Sequence, residues 1–89
     1  MAKKEISWKR EDEDGHRYQV SARQSRNHWD FYIRERRYDT WAPLTHPPLE
    51  DWLALLDGLE RRIVRRMYSE ADVMQIKKII RENFPEAVL

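Results

Sequence analysis

Apolar residues change their spacing at the His46-Pro47-Pro48 segment. Before this segment they alternate with polar residues one by one, which is the period of a half-buried β-strand. After it they recur every three or four residues, which is the period of an amphipathic helix. The pattern predicts an α+β chain in which a three-stranded antiparallel β-meander is followed by two α-helices packed on one face of the sheet (β-β-β-α-α).

The 89 residues are expected to form a single domain, 1–89, because a chain of this length supports one hydrophobic core. Within it, the pattern predicts the antiparallel sheet over 1–40, a proline-rich connector over 41–48 and the helical pair over 49–85. Four Trp, four Tyr and two Phe supply bulky material for the core. Such a content of large aromatic residues is untypical of a disordered chain.

Turn chemistry predicts how the first two strands pair. A two-residue loop at Asp14-Gly15 would pair Trp8 with Ser21 and mix the two faces of the sheet. A three-residue loop, Glu13-Asp14-Gly15, places its glycine in the left-handed conformation and pairs Trp8 with Val20. Because a shift by one residue turns every side chain of a strand over, the apolar pattern favours the three-residue loop.

The second predicted turn, Arg26-Asn27, pairs Ala22 with Phe31 and brings the third strand onto the same face, since Asn tolerates a positive φ. Both turns then agree on one core face. The residues predicted on this face are Ile6, Trp8, Tyr18, Val20, Ala22, Trp29, Phe31 and Ile33.

The opposite, outer face of the sheet is predicted to be a solvated surface with ion pairs between strands and an excess of positive charge. The expected cross-strand rows are Glu5–Arg23–Asp30, Ser7–Ser21–Tyr32, Lys9–Gln19–Arg34 and Glu11–Arg17–Arg36. In the connector, a short fourth strand would fit near Thr40 and Trp41. We expect Trp41 and Leu44 to turn inward over one end of the core.

The first helix is predicted to bury one apolar stripe, and Gly58 is its weak point because glycine destabilises a helix interior. The stripe passes Gly58 without a change of phase, which favours one helix over two short ones. The predicted buried positions are Leu49, Trp52, Leu53, Leu56, Leu59, Ile63 and Met67. The predicted polar positions are Asp51, Ala54, Asp57, Gly58, Arg61, Arg62 and Arg65.

The second helix has a predicted start and a predicted end. Ser69-Glu70-Ala71-Asp72 is similar to a capping box, with Asp in place of the usual Glu, and Pro85 should stop the helix. The residues expected to be buried are Val73, Ile76, Ile80 and Phe84.

Charge and composition exclude several classes of protein. Seventeen Lys and Arg residues against sixteen Asp and Glu give a net charge of only +1, which is untypical of a strongly basic nucleic-acid-binding domain. The chain has no cysteine, so disulfides and thiolate chemistry are excluded. We see neither a signal peptide nor an apolar stretch long enough to span a bilayer, and we expect a cytoplasmic protein without a membrane partner.

The sequence contains no catalytic, cofactor-binding or metal-binding motif. The three histidines, His16, His28 and His46, show no metal-ligand spacing. The acidic run Glu11–Gly15 invites a calcium-loop interpretation, but a hairpin turn explains it better, since Arg23 stands where such a loop needs a glutamate. We therefore expect no enzyme, no cofactor and no metal. A lesser alternative is an enzyme with a pocket that joins carboxylates to His28 or His46.

Two hypotheses of different classes follow for the function. The leading one is a small non-enzymatic protein-interaction domain that binds an unknown protein or a second copy of itself, through exposed Met74 and the strand edges at Ile6 and near Trp29. The alternative is a nucleic-acid-binding domain that uses the basic outer face of the sheet. Its candidate residues are Lys9, Arg17, Tyr32, Arg34 and Arg36.

One strand has a counterpart in a known family. Trp29-Asp30-Phe31-Tyr32-Ile33-Arg34, with Trp41 downstream, resembles the Trp-x-x-x-Ile-Arg strand of plant AP2-type DNA-binding domains, which read DNA with a three-stranded sheet packed on a helix. Integrase arm-binding domains have a similar outline. The family's glycines and its helix sequence are missing here, so the resemblance is architectural and implies no more than DNA binding through the sheet.

Overall fold

The structure is a computed structural model that describes residues 5–25, 28–36, 39–63 and 68–87. The chain divides into two compact units, Met1–Pro47 and Pro48–Leu89. The division falls between Pro47 and Pro48, at the end of the predicted connector. The first unit contains the sheet and the second contains the helices, as the change of period predicts. The packing of the helices on the sheet stays a prediction.

The sheet has four antiparallel strands in the order β1-β2-β3-β4. They are β1 (Glu5–Glu11), β2 (Arg17–Ser25), β3 (His28–Arg34) and β4 (Ala42–Pro43). The predicted three-stranded meander is therefore confirmed. The fourth strand is also present, although it lies slightly later in the chain than expected and spans only two residues.

The predicted register of both hairpins is confirmed. Trp8 pairs with Val20 in the first hairpin, and Ala22 pairs with Phe31 in the second. In the first turn Gly15 has a φ of +84°, the left-handed conformation that the three-residue loop requires. The residues of the second predicted turn, 26–27, lie outside the described residues.

The predicted core face is buried along most of its length. Its buried members are Ile6, Val20, Ala22, Trp29 and Phe31. Its half-buried members are Trp8, Tyr18 and Ile33. The rings of Trp8 and Phe31 meet edge to face with their centroids 6.0 Å apart, the arrangement that aromatic quadrupoles favour.

The outer face departs from prediction in two places. Arg36 does not join the row of Glu11 and Arg17, because β3 ends at Arg34 and Arg36 lies in the bend that follows. Ser21, expected on a solvated surface, is completely buried. The remaining predicted rows are present in the observed register.

The first helix, α1 (Leu49–Ile63), runs through Gly58 without a break, as its apolar pattern predicts. Its predicted buried stripe is partly wrong, since Asp51, Gly58 and Leu55 are buried whereas Leu53 is 38% exposed. Residues four apart share a helix face, so Leu55 extends the apolar surface toward Asp51 and Leu59. Because it omits Leu55, the predicted stripe is centred too far toward Leu53. Met67 of the predicted stripe and Arg65 of the predicted polar face lie outside the described residues.

The second helix, α2 (Glu70–Asn83), begins and ends as predicted. The Ser69 N–H donates to the Asp72 carboxylate at 3.0 Å, and the Asp72 N–H donates to Ser69 Oγ at 3.4 Å, so the capping box is complete. Val73, Ile76 and Ile80 are buried. Half-buried Phe84 forms the C-cap just before Pro85. The two helices of this unit contact each other.

Candidate binding surface on the outer sheet face

Arg34 lies in the row Lys9–Gln19–Arg34 of the outer face, where two neighbouring side chains hold its guanidinium in a fixed position. Its Nε donates to Gln19 Oε1 at 2.6 Å, and its guanidinium carbon lies 4.3 Å from the centroid of the Trp41 ring. Both contacts are made with groups that carry no formal charge. The guanidinium is thus oriented while its positive charge is not neutralised by either partner.

Trp41 lies on the outer face, so the prediction that it turns inward over the core is wrong. β4 pairs Ala42 with Ile33 and Pro43 with Tyr32. Continuing this register by one residue places Trp41 opposite Arg34, and directly opposed residues project from the same face of a sheet. The pairing of β4 therefore decides the side on which the tryptophan lies.

A second cation–aromatic contact covers the centre of the outer face. The Arg23 guanidinium carbon lies 5.1 Å from the centroid of the Tyr32 ring, and Arg23 Nε contacts Glu5 Oε2 at 3.0 Å. Tyr32, a candidate nucleic-acid-binding residue in the sequence, therefore already has one ring face in contact with Arg23. Ser21 lies in the same row as Tyr32, and its hydroxyl makes no hydrogen bond within the described part of the chain.

A shallow groove of about 330 Å³ runs along this face and is lined in part by Lys9, Arg34 and Trp41. A smaller groove of about 190 Å³ is lined in part by Lys9, Arg17 and Tyr18. Lys9 is exposed and lines both grooves. Among the described residues it has no ion-pair partner within 4 Å, whereas Arg17 lies 3.9 Å from Glu11.

The structure therefore brings together four of the five residues predicted for the basic surface, namely Lys9, Arg17, Tyr32 and Arg34. Arg36 is set apart in the bend, where its backbone N–H donates to Asp39 Oδ2 at 3.0 Å. Sequence reasoning missed Trp41 as a member of this surface. A two-residue strand carries no detectable period, so no signal in the sequence could place that side chain.

The edge of β1 is open along its seven residues, because β1 pairs only with β2 among the described strands. The Asp12 N–H donates to the His16 carbonyl at 3.0 Å at the end of this hairpin. Since the direction of backbone groups alternates along a strand, the even-numbered residues of β1 bond to β2. The N–H and C=O groups of Glu5, Ser7, Lys9 and Glu11 then point away from it.

The opposite edge of the sheet is partly covered. β4 pairs with Tyr32 and Ile33, and the Leu44 N–H donates to the Phe31 carbonyl at 2.8 Å. Of the two strand edges predicted as contact surface, the one at β1 is therefore the longer open segment. Met74, also predicted as contact surface, is 62% exposed on α2.

The carboxylate of Asp12 organises the first turn. Its Oδ1 accepts from the Asp14 and His16 N–H groups at 2.9 Å each, and its Oδ2 accepts from the Tyr18 hydroxyl at 3.1 Å. Desolvation acts to raise the pKa of Asp12, but these hydrogen bonds together lower the pKa below its ordinary value of 3.8. The same hydrogen bond to Asp12 raises the pKa of Tyr18.

Ligand atoms of Asp12, Asp14 and His16 lie within 4.8 Å of one another, a spacing that a metal ion could bridge. The hydrogen bonds of the turn account for this proximity, because they hold Asp12 against the backbone of the other two residues. The remaining two histidines, His28 and His46, line neither of the two grooves on the sheet.

Comparisons of the chain with protein-family models, with curated proteins and with solved structures find no match. The resemblance to AP2-type domains thus stays confined to the residues of one strand. No described helix combines the length and the apolar character that crossing a membrane requires.

Proposed function

We propose that this chain is a small, non-enzymatic protein-interaction domain of the cytoplasm that associates with itself through the open edge of β1. The observation that carries the proposal is the row of backbone groups at Glu5, Ser7, Lys9 and Glu11, which no other described strand binds. Such a row forms main-chain hydrogen bonds with an extended segment of another chain, which supplies affinity without a deep pocket.

The charges on β1 favour a selective contact. Natural edge strands often carry charged residues that discourage indiscriminate pairing. β1 carries two acidic residues, Glu5 and Glu11, and two basic residues, Lys9 and Arg10, so neither sign dominates. A strand with equal numbers of acidic and basic residues can place opposite charges against those of β1 in one register. Shifted registers can bring like charges together. A second copy of β1 has this balance by definition.

Sedimentation velocity measured from micromolar to millimolar protein tests the proposal. The wild-type chain should pass from monomer to dimer as its concentration rises. Ser7→Pro should stay monomeric, because proline removes an N–H that points away from β2. Ser7→Ala keeps that N–H and should dimerise like the wild type, with far-UV circular dichroism confirming that both variants are folded. A wild-type chain that stays monomeric at millimolar concentration would contradict the proposal.

A second function, nucleic-acid binding, is favoured by one specific observation. Lys9 has no ion-pair partner among the described residues, and Arg34 is oriented by two groups without formal charge beside the groove at Trp41. Cations placed beside an aromatic ring suit a single-stranded backbone with its bases. Against this function stand the acidic residues Glu5 and Glu11 of the same face, which repel phosphates.

An NMR titration with single-stranded thymidine and RNA oligonucleotides separates the two functions. Binding through the outer face should shift the amide signals around Lys9 and Arg34, and its affinity should fall steeply with salt. Lys9→Ala should weaken the binding. Lys78→Ala, at an exposed position of α2, is the matched control and should leave the binding unchanged. An absence of shifts at low salt would exclude this second function.

A further inference from the structure

We infer that two copies of this chain pair antiparallel along β1 in one register, with Ser7 opposite Ser7 of the second copy and Glu5 opposite its Lys9. The inference rests on the proposed function and specifies its partner and geometry. A two-fold axis then passes between the two serines. The two sheets join into one continuous sheet, and the β1 edge of each copy is covered from Glu5 to Lys9.

The backbone direction in β1 permits this register. The groups that point away from β2 belong to Glu5, Ser7 and Lys9, so these residues of one copy can bond to the same residues of the other. Their side chains all project from the outer face. A pairing that places odd-numbered residues opposite odd-numbered residues therefore keeps the outer faces of both sheets on one side, as a continuous sheet requires.

The charges select this register from the others that satisfy the same condition. With Ser7 opposite Ser7, both copies gain a Glu5–Lys9 contact on the outer face. A shift that places Ser7 opposite Lys9 brings Glu5 against Glu11, and a further shift brings Lys9 against Lys9. A shift in the other direction places Glu5 opposite Ser7 and gains no pair of opposite charges within β1. Opposite charges stabilise directly opposed positions of neighbouring strands and like charges destabilise them.

Lys9 and Glu5 both remain available for a cross-strand contact with a second copy. Lys9 is exposed, with no ion-pair partner within 4 Å among the described residues. Glu5 is held in place by Arg23, at 3.0 Å, yet its side chain remains 30% exposed toward a second partner. On the core face the same register places Ile6 opposite half-buried Trp8 of the second copy, so the apolar edge of that tryptophan gains cover.

Charge reversal at the two positions tests the register. Lys9→Glu alone brings two acids together at each contact, and Glu5→Lys alone brings two bases together. We expect each variant alone to dimerise about 30-fold more weakly, because two favourable cross-strand pairs become repulsive. An equimolar mixture of the two variants restores opposite charges at both contacts, and it should form a heterodimer about as tight as the wild-type dimer.

Matched controls carry the same changes of charge away from β1. Lys78→Glu and Glu82→Lys, both at exposed positions of α2, should dimerise like the wild type. A stronger dimer for Glu5→Lys would point to the register with Glu5 opposite Glu11 and would overturn the inference. Weakened single variants that do not recover on mixing would also overturn it. A wild-type dimer insensitive to both changes would overturn the register while leaving the proposed self-association in place.

Discussion

Arg34 lies over the ring of Trp41, with its guanidinium carbon 4.3 Å from the ring centroid. This contact joins the last residue of β3 to the residue just before β4, so it ties the connector to the outer face of the sheet. Gln19 fixes the same guanidinium from β2. Two uncharged side chains, those of Gln19 and Trp41, therefore help the ion pairs to order the outer face, because both contact the Arg34 guanidinium.

Replacing Trp41 with alanine should reduce the free energy of unfolding by about 1–2 kcal/mol, because the cation–aromatic contact and the packing of the arginine stem are both lost. Trp41→Phe keeps an aromatic ring and should lose less. Urea denaturation of both variants measures the difference. An unchanged stability for Trp41→Ala would show that the contact does not support the sheet.

The pH dependence of stability should report the Asp12 turn. Hydrogen bonds from His16, Tyr18 and Asp14 lower the pKa of Asp12 in the folded chain, whereas the unfolded chain keeps a value near 3.8. The stabilisation is therefore fully present above pH 3.8 and is lost as pH falls through the lower folded pKa. Asp12→Asn should unfold more easily than the wild type at neutral pH, and the difference should shrink in acid. A difference that is constant with pH would contradict this assignment.

Gly15→Ala should destabilise the first hairpin by about 1 kcal/mol, since a side chain makes the left-handed conformation unfavourable. Steric contact does not explain the expected loss, because the nearest atom to an added Cβ is Glu11 Oε1 at 3.9 Å. Gly15→Asn should lose less, because asparagine tolerates positive φ. Thermal unfolding of the two variants measures the order, and equal losses would show that backbone conformation is not the cause.

The sheet could be predicted from the sequence because two independent signals agree on it. The alternation of apolar residues selects a face, and Gly15 selects the loop that keeps Trp8 opposite Val20. Likewise, the capping residues at Ser69 and Asp72 mark where α2 begins. Each of these features depends on residues that are close in sequence or repeat with a regular period.

The remaining features depend on information that local patterns do not contain. Trp41 reaches the outer face through a strand too short to show a period. On α1 the apolar residues cover so much of the surface that periodicity alone does not fix the centre of the buried face, and the predicted stripe therefore omits Leu55. The open edge of β1 was predicted, but the direction of its backbone groups follows only from the hydrogen bond between Asp12 and His16.

Amide hydrogen exchange at low and high protein concentration tests most directly whether the open edge of β1 is the contact surface. The amides of Trp8 and Arg10 bond to β2 within one chain, so they should exchange slowly at both concentrations. Those of Ser7 and Lys9 should exchange quickly in the monomer and slowly once the dimer forms. Fast exchange at Ser7 and Lys9 in a dimeric sample would contradict the account, because the two chains would then associate through another surface.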